Sequence, residues 1–371
     1  MERHLHIVSF NVPLPADYGG VIDVFYRIKA LSEAGVKIHL HCFTYGRQKA
    51  PELNCYCTEV HYYRRATTIL RMVSGRPYIV SSRKNSKLRQ RLLQDHYPIL
   101  LEGLHCCSLL TDDEVCRNRT VMVRAHNVES QYYSQLAAAE HSPLQKLYLN
   151  FEAAKIKRFE PLLSRADAVF AISESDKTTL ESMGCNNVTL MTGAHPYSKI
   201  ETKIGRGDYA LYHGNLAVAE NYRAVEYLVD NIFVDNSIRL VVAGGNPPQW
   251  LKNKLTNLAN VKLEANPDDT MMRRLISESQ VCILVTEQPT GLKLKLLSSL
   301  FCGRHCLVNS NMVAGSGLEE LCVVADDAET QRKQLAKLMS HDFGEEQILR
   351  RNEMLKSFIT GNAIKPLLDL I

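Results

Sequence analysis

Short apolar segments alternate with amphipathic helices along almost the whole chain, and this alternation constrains the fold more than any other feature. Continuous apolar strands separated by helices are typical of a parallel sheet that is covered on both faces. A stretch rich in glycine, proline and charge, residues 192–208, interrupts the pattern, which then restarts. The predicted strands are LHIVSF, VKIHLHCF, PILLEG, VMVRAHN, AVFAIS and VTLMT before this stretch, and YALYHGN, IRLVVAGG, VKLE, VCILVT and HCLVNS after it.

The length favours two domains, because 371 residues exceed the roughly 100 to 200 of an ordinary domain. We predict an α/β protein with two Rossmann-like, doubly wound parallel-sheet domains. The first covers residues 1–195, the second residues 196–355, and a C-terminal helix over residues 356–371 packs back on the first. Ligands of such sheets bind at the carboxyl ends of the strands, so we expect a cleft between the two domains.

Charge and cysteine content exclude several classes of protein. The net charge of +4 is too small for a protein that coats nucleic acid, so we expect no nucleic-acid partner. The eleven cysteines contain no CxxC pair, which predicts reduced thiols and no metal site. The N-terminus lacks the apolar core of a signal peptide, and no apolar run approaches about 18 residues. We therefore expect a cytoplasmic protein.

Two common nucleotide-binding motifs are missing. The glycine pair Gly19 and Gly20 follows the first strand without GxGxxG spacing, and the later AGG of residues 243–245 lacks a third glycine. The chain also lacks GxxxxGK[ST]. A dehydrogenase and a P-loop enzyme are thus disfavoured. The pair at Gly19 allows a backbone to approach a phosphate or sugar closely, although a tight turn that starts a helix explains it equally well.

The segment VTEQPTGLKLKLLSSLFCGRH carries the clearest chemical signal. A predicted strand ends near Thr286, a turn contains Pro289 and Gly291, and a helix with a leucine stripe follows. The helix N-terminus supplies free N–H groups and positive potential, to which Lys293 and Lys295 add two cations. These features together suit a diphosphate. The alternative is that both lysines are ordinary solvated helix residues.

These residues resemble a GT-B glycosyltransferase of the family 4 type, in which two Rossmann-like domains hold a nucleotide sugar mainly through the second domain. The resemblance extends over most of the chain, and its specificity comes from the order and spacing of several motifs. They are the glycine pair at Gly19, RAHNVE at 124–129, AISESD at 171–176, YHGNLAVAENYRAVEYL from 212, VVAGG at 241–245 and TGLKLKLLSSLFCG at 290–303.

The resemblance also implies donor-binding positions, and at some of them this sequence departs from the family pattern. Where members carry a ribose-binding glutamate in an EA(L/M)xxG pattern, alignment on Gly303 places Ser298. The glutamate of the EGFG pattern aligns with Thr290, and Glu287 lies just upstream. The resemblance implies donor binding by Gly19, Gly20, Gly214, Asn215, Gly244, Glu287, Thr290, Gly291, Lys293, Lys295 and Ser298.

Two residues of the first half are candidates for catalysis. His126 ends the predicted strand VMVRAHN, where a doubly wound sheet places its ligands, and the matching histidine of the family contacts the donor sugar. Glu102 follows the apolar run ILL in the same way. Three roles remain open for Glu102: a general base, a ligand of the acceptor hydroxyl, or a carboxylate that favours a helix N-terminus.

The family resemblance implies a hexosyltransferase that moves a sugar from a nucleoside-diphosphate sugar to a glycan or lipid-linked acceptor in polysaccharide or glycoconjugate synthesis. It also implies retention of anomeric configuration and no cofactor. No Asp-x-Asp motif occurs, which favours metal-independent stabilisation of the leaving diphosphate. Two alternatives remain: a catalytically silent binding subunit, which Ser298 makes credible, and a non-hydrolysing sugar-nucleotide epimerase.

A basic stretch in the first half predicts where the protein acts. Between His61 and Gln94 the chain has no Asp or Glu, and aromatic and aliphatic residues separate its cations. A solvated charge run is the ordinary interpretation. Because each basic residue near an anionic leaflet contributes about 1 kcal/mol, we expect peripheral association with the inner face of the cytoplasmic membrane. The nine cations are Arg64, Arg65, Arg71, Arg76, Arg83, Lys84, Lys87, Arg89 and Arg91.

Overall fold

A computed structural model shows that the chain divides into two compact units. Met1–Pro196 and Thr360–Ile371 form the first unit, and Tyr197–Ile359 forms the second. Each unit has its own apolar core around a parallel sheet. The structure describes residues 2–72, 74–140, 142–235, 237–288 and 293–371.

The sheet of the first unit has seven parallel strands within the described residues, in the order β3-β2-β1-β4-β5-β6-β7. Its central strands are buried along their whole length and apolar up to the last residue of β4 and β5, as expected of a sheet covered on both faces. The strand order runs outward from β1 in one direction to β3 and from β4 in the other direction to β7. A crevice therefore opens between β1 and β4 at the carboxyl ends of the strands. The strands are β1 (His4–Ser9), β2 (Lys37–Thr44), β3 (Glu59–Arg64), β4 (Ile99–Glu102), β5 (Val121–Arg124), β6 (Ala168–Ala171) and β7 (Val188–Leu190).

Helices cover both faces of this sheet. The first helix, α1, begins directly at the glycine pair, and buries Val21, Val24, Ile28 and Leu31 against the core. The helices of the N-terminal part are α1 (Gly19–Glu33), α2 (Ile69–Met72), α3 (Tyr78–Ser81), α4 (Ser86–Leu92), α5 (Asp113–Cys116), α6 (Glu129–Ala139), α7 (Pro143–Phe159) and α8 (Glu174–Ser182). Short 3₁₀ segments occur at Pro51–Cys55, Leu104–Thr111 and Glu160–Arg165.

The second unit repeats the arrangement with six parallel strands among its described residues, in the order β10-β9-β8-β11-β12-β13. Its order reverses between β8 and β11. The strands are β8 (Ala210–His213), β9 (Leu240–Gly244), β10 (Val261–Ala265), β11 (Val281–Leu284), β12 (His305–Val308) and β13 (Val323–Val324). The helices are α9 (Ala219–Tyr227), α10 (Gln249–Thr256), α11 (Asp269–Glu278), α12 (Leu294–Cys302), α13 (Ser310–Val313), α14 (Ala328–Ser340) and α15 (Glu345–Met354), with a π segment at Leu228–Ile232 and 3₁₀ turns at Glu319–Leu321 and Lys356–Phe358.

The C-terminus differs from the single helix expected over residues 356–371. After a 3₁₀ turn it forms two separate four-residue helices, α16 (Thr360–Ala363) and α17 (Lys365–Leu368). Pro366 has no N–H with which to continue an earlier helix and stands in the first turn of α17, where that N–H is not needed. Ile364 and Leu367 are buried in the core of the first unit.

Two expectations from the sequence concern membrane-spanning helices and the state of the cysteines. Among the described residues, no helix combines the length and apolar character needed to span a bilayer. All eleven cysteines carry free thiols, and most of them are buried.

A chain of hydrogen-bonded side chains crosses β1, β2 and β3 on one face of the first sheet. His6 Nε2 lies 3.0 Å from Asp95 Oδ1, and His6 Nδ1 lies 2.9 Å from His41 Nε2. His41 Nδ1 in turn lies 2.9 Å from Tyr63 Oη. Every contact is satisfied when both rings are neutral, because each ring then donates from Nε2 and accepts at Nδ1. Burial lowers the pKa of His6 and, more strongly, the pKa of His41.

We expect this series of hydrogen-bonded side chains to make the protein acid-labile. The folded-state pKa of each ring lies below its unfolded value near 6.5, so the stabilisation is present above about pH 6.5 and is lost as the pH falls further. Denaturant unfolding at several pH values between about 8 and 5 should show that the free energy of unfolding falls with pH. His41→Gln should reduce the slope of this free energy against pH. The exposed His96 gives the control, since His96→Gln should keep the wild-type slope. An equal slope in all three proteins would contradict the assignment.

Candidate functional site

A buried ion-pair network lies in the first unit at the carboxyl edge of β4 and β5. Glu102 ends β4 and is fully buried, and its Oε1 accepts a hydrogen bond from Arg27. His126 follows β5, and its Nε2 lies 2.9 Å from Glu102 Oε2. Asp23 of α1 accepts from Arg124 Nε at 3.1 Å and is also paired with Arg27. The structure therefore brings the two predicted catalytic residues into direct contact.

Three members of this network were not predicted from the sequence: Asp23, Arg27 and Arg124. Asp23 and Arg27 are spaced i,i+4 in α1, which places them on one side of the helix. Both are buried, and this spacing of opposite charges within an otherwise apolar helix face is the signal that could have identified them.

Two glycines with little room for a side chain lie next to the network. Gly103, directly after β4, has φ +73°, and a Cβ there would lie 2.9 Å from His105 Nδ1 and 3.4 Å from His126 Cδ2. A glycine is thus required at this turn for both reasons. Gly20 in the first turn of α1 lies close to Phe10, because a Cβ on it would be 3.0 Å from Phe10 Cζ. Gly19 begins the same helix and is exposed.

The charges in the network balance. Burial favours the neutral acid, yet Arg124 and Arg27 outweigh it and hold the pKa of Asp23 well below its usual range. Burial is likewise outweighed at Glu102, where Arg27 and the hydrogen bond from His126 lower the pKa. Two carboxylates therefore face two guanidinium groups. Glu102 is therefore a carboxylate paired with Arg27 on one oxygen and in contact with the His126 ring on the other.

Three residues of the network carry side chains that can bind a metal ion. Asp23, Glu102 and His126 offer three ligand atoms within 4.8 Å of one another. Both carboxylates already bind guanidinium groups of Arg27 and Arg124, so a divalent cation here would lie against two positive charges. The donor set therefore fits an ion-pair network better than a cation site.

Glu129, the last residue of the motif RAHNVE, is a second unusual carboxyl group. It begins α6 and is buried. Burial and the neighbouring Glu160 raise the pKa of Glu129 to about 8. A carboxyl group that keeps its proton at neutral pH can act as a hydrogen-bond donor or an acid. The sequence motif contained this residue, but no role was assigned to it.

In the second unit, Lys295 lies at the first turn of α12 against the end of β8. Its Nζ donates to Asn221 Oδ1 at 2.8 Å and lies 3.4 Å from Tyr212 Oη. Tyr212 also donates to Asn221 Oδ1, at 3.1 Å. Asn221 and Tyr212 are both neutral, so neither of these two contacts compensates the positive charge of Lys295. Tyr212 and Asn221 were not predicted as site residues.

The positive potential at this helix end has three sources. Lys293 is the N-cap of α12, Lys295 lies in its first turn, and that turn contains no acidic residue. Burial lowers the pKa of Lys293, and burial together with Lys293 lowers the pKa of Lys295 to about 8 despite the carboxylate of Glu220. The helix dipole and its N–H groups add to the two cations. Cations are unfavourable at a helix N-terminus unless an anionic group lies near them, and the carboxylate of Glu220 is close enough to act on the pKa of both lysines.

The predicted glycines of this unit permit close backbone packing. A Cβ on Gly244 would lie 1.9 Å from the carbonyl oxygen of Gly214, so the ends of β9 and β8 can approach only without a side chain. A Cβ on Gly214 would lie 3.2 Å from Asn221, next to Lys295. Asn215 caps the following turn, since its Oδ1 accepts from the Ala217 N–H at 3.1 Å.

The remaining predicted positions lie nearby or outside the described residues. Glu287 is exposed and lines a pocket of about 220 Å³ together with Glu220, Arg223 and Asp326. The hydroxyl of Ser298 donates to the Leu294 carbonyl oxygen at 3.0 Å within α12. Four residues of the predicted turn fall outside the described residues, and these are Pro289, Thr290, Gly291 and Leu292.

Comparison with solved structures identifies the fold. Sucrose-phosphate synthase from Thermosynechococcus elongatus superposes with a TM-score of 0.69 at 14% identity, over 99% of this chain and 98% of that one. The Anabaena protein HepE in complex with UDP and glucose gives 0.65 at 11%, over 100% of both chains. The lipopolysaccharide outer core galactosyltransferase WaaB gives 0.63 at 13%, over 99% of both. The chain therefore has the GT-B fold of two Rossmann-like domains, which confirms the predicted fold class.

Sequence comparison gives one significant relative. The chain is 25% identical over 345 residues to an uncharacterized 44.6 kDa protein in the cps region of Klebsiella pneumoniae, and the match covers 86% of this chain and 87% of that protein. No protein-family model matches the chain.

Proposed function

We propose that the protein is a glycosyltransferase that uses a nucleoside-diphosphate sugar. The observation that carries this proposal is the cationic end of α12, where Lys293 and Lys295 add to the positive potential of a helix N-terminus. Breaking the anomeric C–O bond moves negative charge onto the leaving diphosphate. Fixed cations and N–H groups at that point stabilise the charge as it grows. The GT-B fold and its occurrence in a protein crystallised with UDP and glucose support this assignment.

The finer parts of the proposal concern acceptor, stereochemistry and metal. We propose transfer of a hexose to a glycan or lipid-linked acceptor with retention of configuration, without a cofactor or metal ion. The relative in a cps region supports a role in polysaccharide synthesis. The charge balance of the network around His126, which leaves little attraction for a cation, supports metal independence.

We further propose that the protein works at an anionic membrane surface. Five cations of the basic stretch are exposed and available to lipid headgroups. Arg83 and Arg89 are not, since Arg83 is buried and Arg89 is paired with Asp112 and Glu114. The exposed five are Arg64, Arg76, Lys84, Lys87 and Arg91.

His126 is proposed to contact the donor sugar, with Glu102 and Asp23 holding its ring. His126→Ala should lower turnover by about a hundredfold or more, as removal of a group that acts on the reacting part of a substrate commonly does. Affinity for the free nucleoside diphosphate should stay near the wild-type value, because that ligand lacks the transferred sugar that His126 is proposed to contact. Steady-state kinetics and calorimetric titration measure the two quantities.

A second variant, His126→Gln, distinguishes a loss of catalysis from a loss of folded protein. His126→Gln keeps a hydrogen-bond donor toward Glu102 and should retain wild-type stability while turnover remains low. If His126→Ala lowers nucleotide affinity and thermal stability as much as turnover, His126 is structural and the assignment is wrong.

A further inference from the structure

The helical hairpin of α6 and α7 in the first unit exposes a row of large apolar side chains. Leu144, Leu147 and Phe151 are spaced i, i+3 and i+7, so they lie along one face of α7. They are 81%, 69% and 55% exposed, and Leu136 of α6 is 37% exposed. These four residues are named the hairpin stripe. Single exposed leucines are ordinary, whereas the three residues of α7 form a row on one helix face, and such a row marks an interaction surface.

The buried residues of α7 lie toward the base of the hairpin. The buried residues of α7 are Glu152, Ala153, Lys155 and Ile156, all of which follow the hairpin stripe in the sequence. The preceding two turns of α7 therefore project their apolar face into solvent. Only two charged residues, Glu140 and Lys146, occur between residues 131 and 151. The projecting part is thus apolar and almost free of charge.

The base of the hairpin joins the basic stretch. Lys155 Nζ donates to the Met72 carbonyl oxygen at 2.9 Å, and the Tyr78 N–H donates to Glu152 Oε2 at 2.9 Å. The segment between these two contacts contains the exposed Arg76.

The segment that contacts the base of the hairpin therefore carries a basic residue and adjoins an apolar one. Ile69, just before the same segment, is 76% exposed and adds another apolar side chain. The exposed cations of the basic stretch lie before and after this segment, and the stretch contains no acidic residue. A bilayer with anionic headgroups is complementary to both components, because its interface accepts leucine and phenylalanine and its phosphates attract arginine and lysine.

We propose that the hairpin stripe inserts into the interfacial region of an anionic membrane while the neighbouring cations bind its headgroups. This inference rests on the proposed function, since a lipid-linked acceptor lies in such a membrane. The insertion would bury the stripe by several ångströms, at the boundary between headgroups and acyl chains.

Vesicle sedimentation tests the stripe with a matched control. Vesicles of equal parts phosphatidylglycerol and phosphatidylcholine should carry down the wild-type protein, and vesicles of phosphatidylcholine alone should carry down much less. Leu144→Gln and Leu147→Gln should each weaken binding by roughly tenfold. Leu349→Gln is the control, because Leu349 of α15 is also 69% exposed and should leave binding unchanged. Equal binding by all variants would overturn the inference.

A fluorescent reporter tests insertion directly. The chain has a single tryptophan, Trp250, so Leu147→Trp in a Trp250→Phe background gives one probe on the stripe. Its emission should shift to the blue with the anionic vesicles, whereas Leu349→Trp in the same background should not shift. An unshifted Leu147→Trp probe on sedimented protein would show that the cations bind without insertion, which contradicts the proposal.

Two further results separate this inference from its alternatives. A concentration-dependent dimer that Leu147→Gln abolishes would identify the stripe as a protein interface and overturn the proposal. Nucleoside-diphosphate binding should be the same in wild type and Leu147→Gln. Stripe-dependent vesicle binding without any nucleotide binding would contradict the proposed function alone, and nucleotide binding without vesicle binding would contradict the stripe alone.

Discussion

Replacement of both Lys293 and Lys295 by alanine should weaken the binding of a nucleoside diphosphate by about a hundredfold or more. A hydrogen bond to a charged group contributes roughly 1.5 to 3 kcal/mol, which is about tenfold or more for each lysine. Both lysines lie at the N-terminal turn of α12, where the helix dipole reinforces them. Isothermal calorimetry with UDP, GDP, TDP and ADP measures the effect.

The pH dependence provides a control within the same experiment. Burial lowers the pKa of Lys295 to about 8, so its ammonium is lost, and affinity should fall, as the pH rises through that value. Lys295→Met should remove this dependence, because it has no titrating group. Lys333→Ala, at a lysine that is 79% exposed, should bind as the wild type does. Unchanged affinity in the double alanine variant would remove the diphosphate assignment.

Asp23→Ala should destabilise the protein by about 3 to 5 kcal/mol, the loss expected when one partner of a buried ion pair is removed. The substitution leaves Arg27 and Arg124, both fully buried, with Glu102 as the remaining carboxylate of the network. It also removes the acceptor of the Ala194 N–H, which lies 2.6 Å from Asp23 Oδ1. Urea unfolding of the purified variant measures the change in free energy.

An exposed ion pair and a double variant serve as controls. Asp342→Ala breaks the pair with Arg206, in which both side chains are more than half exposed, and should cost no more than about 1 kcal/mol. Asp23→Ala combined with Arg124→Met should recover part of the loss, since the second change removes an unpaired buried charge. Additive losses in the double variant would show that the two residues do not form a pair.

The sequence predicted most of the sheet because its strands are continuous apolar runs. β3 and β13 were missed for different physical reasons. β3 lies at a sheet edge and is only partly buried, and its Glu, His and Arg residues resemble a charged loop. β13 has two residues, too few for any periodic pattern. Tertiary pairing with β2 and β12 defines these strands, and pairing partners are not visible in a single sequence.

The candidate site was predicted less completely than the fold. His126, Glu102 and the two lysines were predicted from their position along the chain, because they follow strands or begin a helix. Asp23 in the first unit, and Tyr212 and Asn221 in the second, contact predicted residues of their own unit through elements that are distant in sequence, as the pairing of Lys295 with Asn221 shows. The glycines illustrate the opposite case, since Gly244 is required by the approach of Gly214 whether or not a ligand binds.

The most direct test of the central claim is a transfer assay with nucleoside-diphosphate sugars, preceded by a thermal-shift screen of UDP-, GDP-, TDP- and ADP-sugars. A ligand at about 100 times its Kd adds roughly 2.7 kcal/mol to stability, so a true donor should raise Tm clearly. The account predicts that one donor class raises Tm, that this donor is consumed with release of the nucleoside diphosphate, and that the Lys293→Ala/Lys295→Ala variant shows neither effect. Stabilisation without turnover would indicate a silent binding subunit, isomerisation of the free sugar nucleotide would indicate an epimerase, and no stabilisation by any of the four classes would contradict the account.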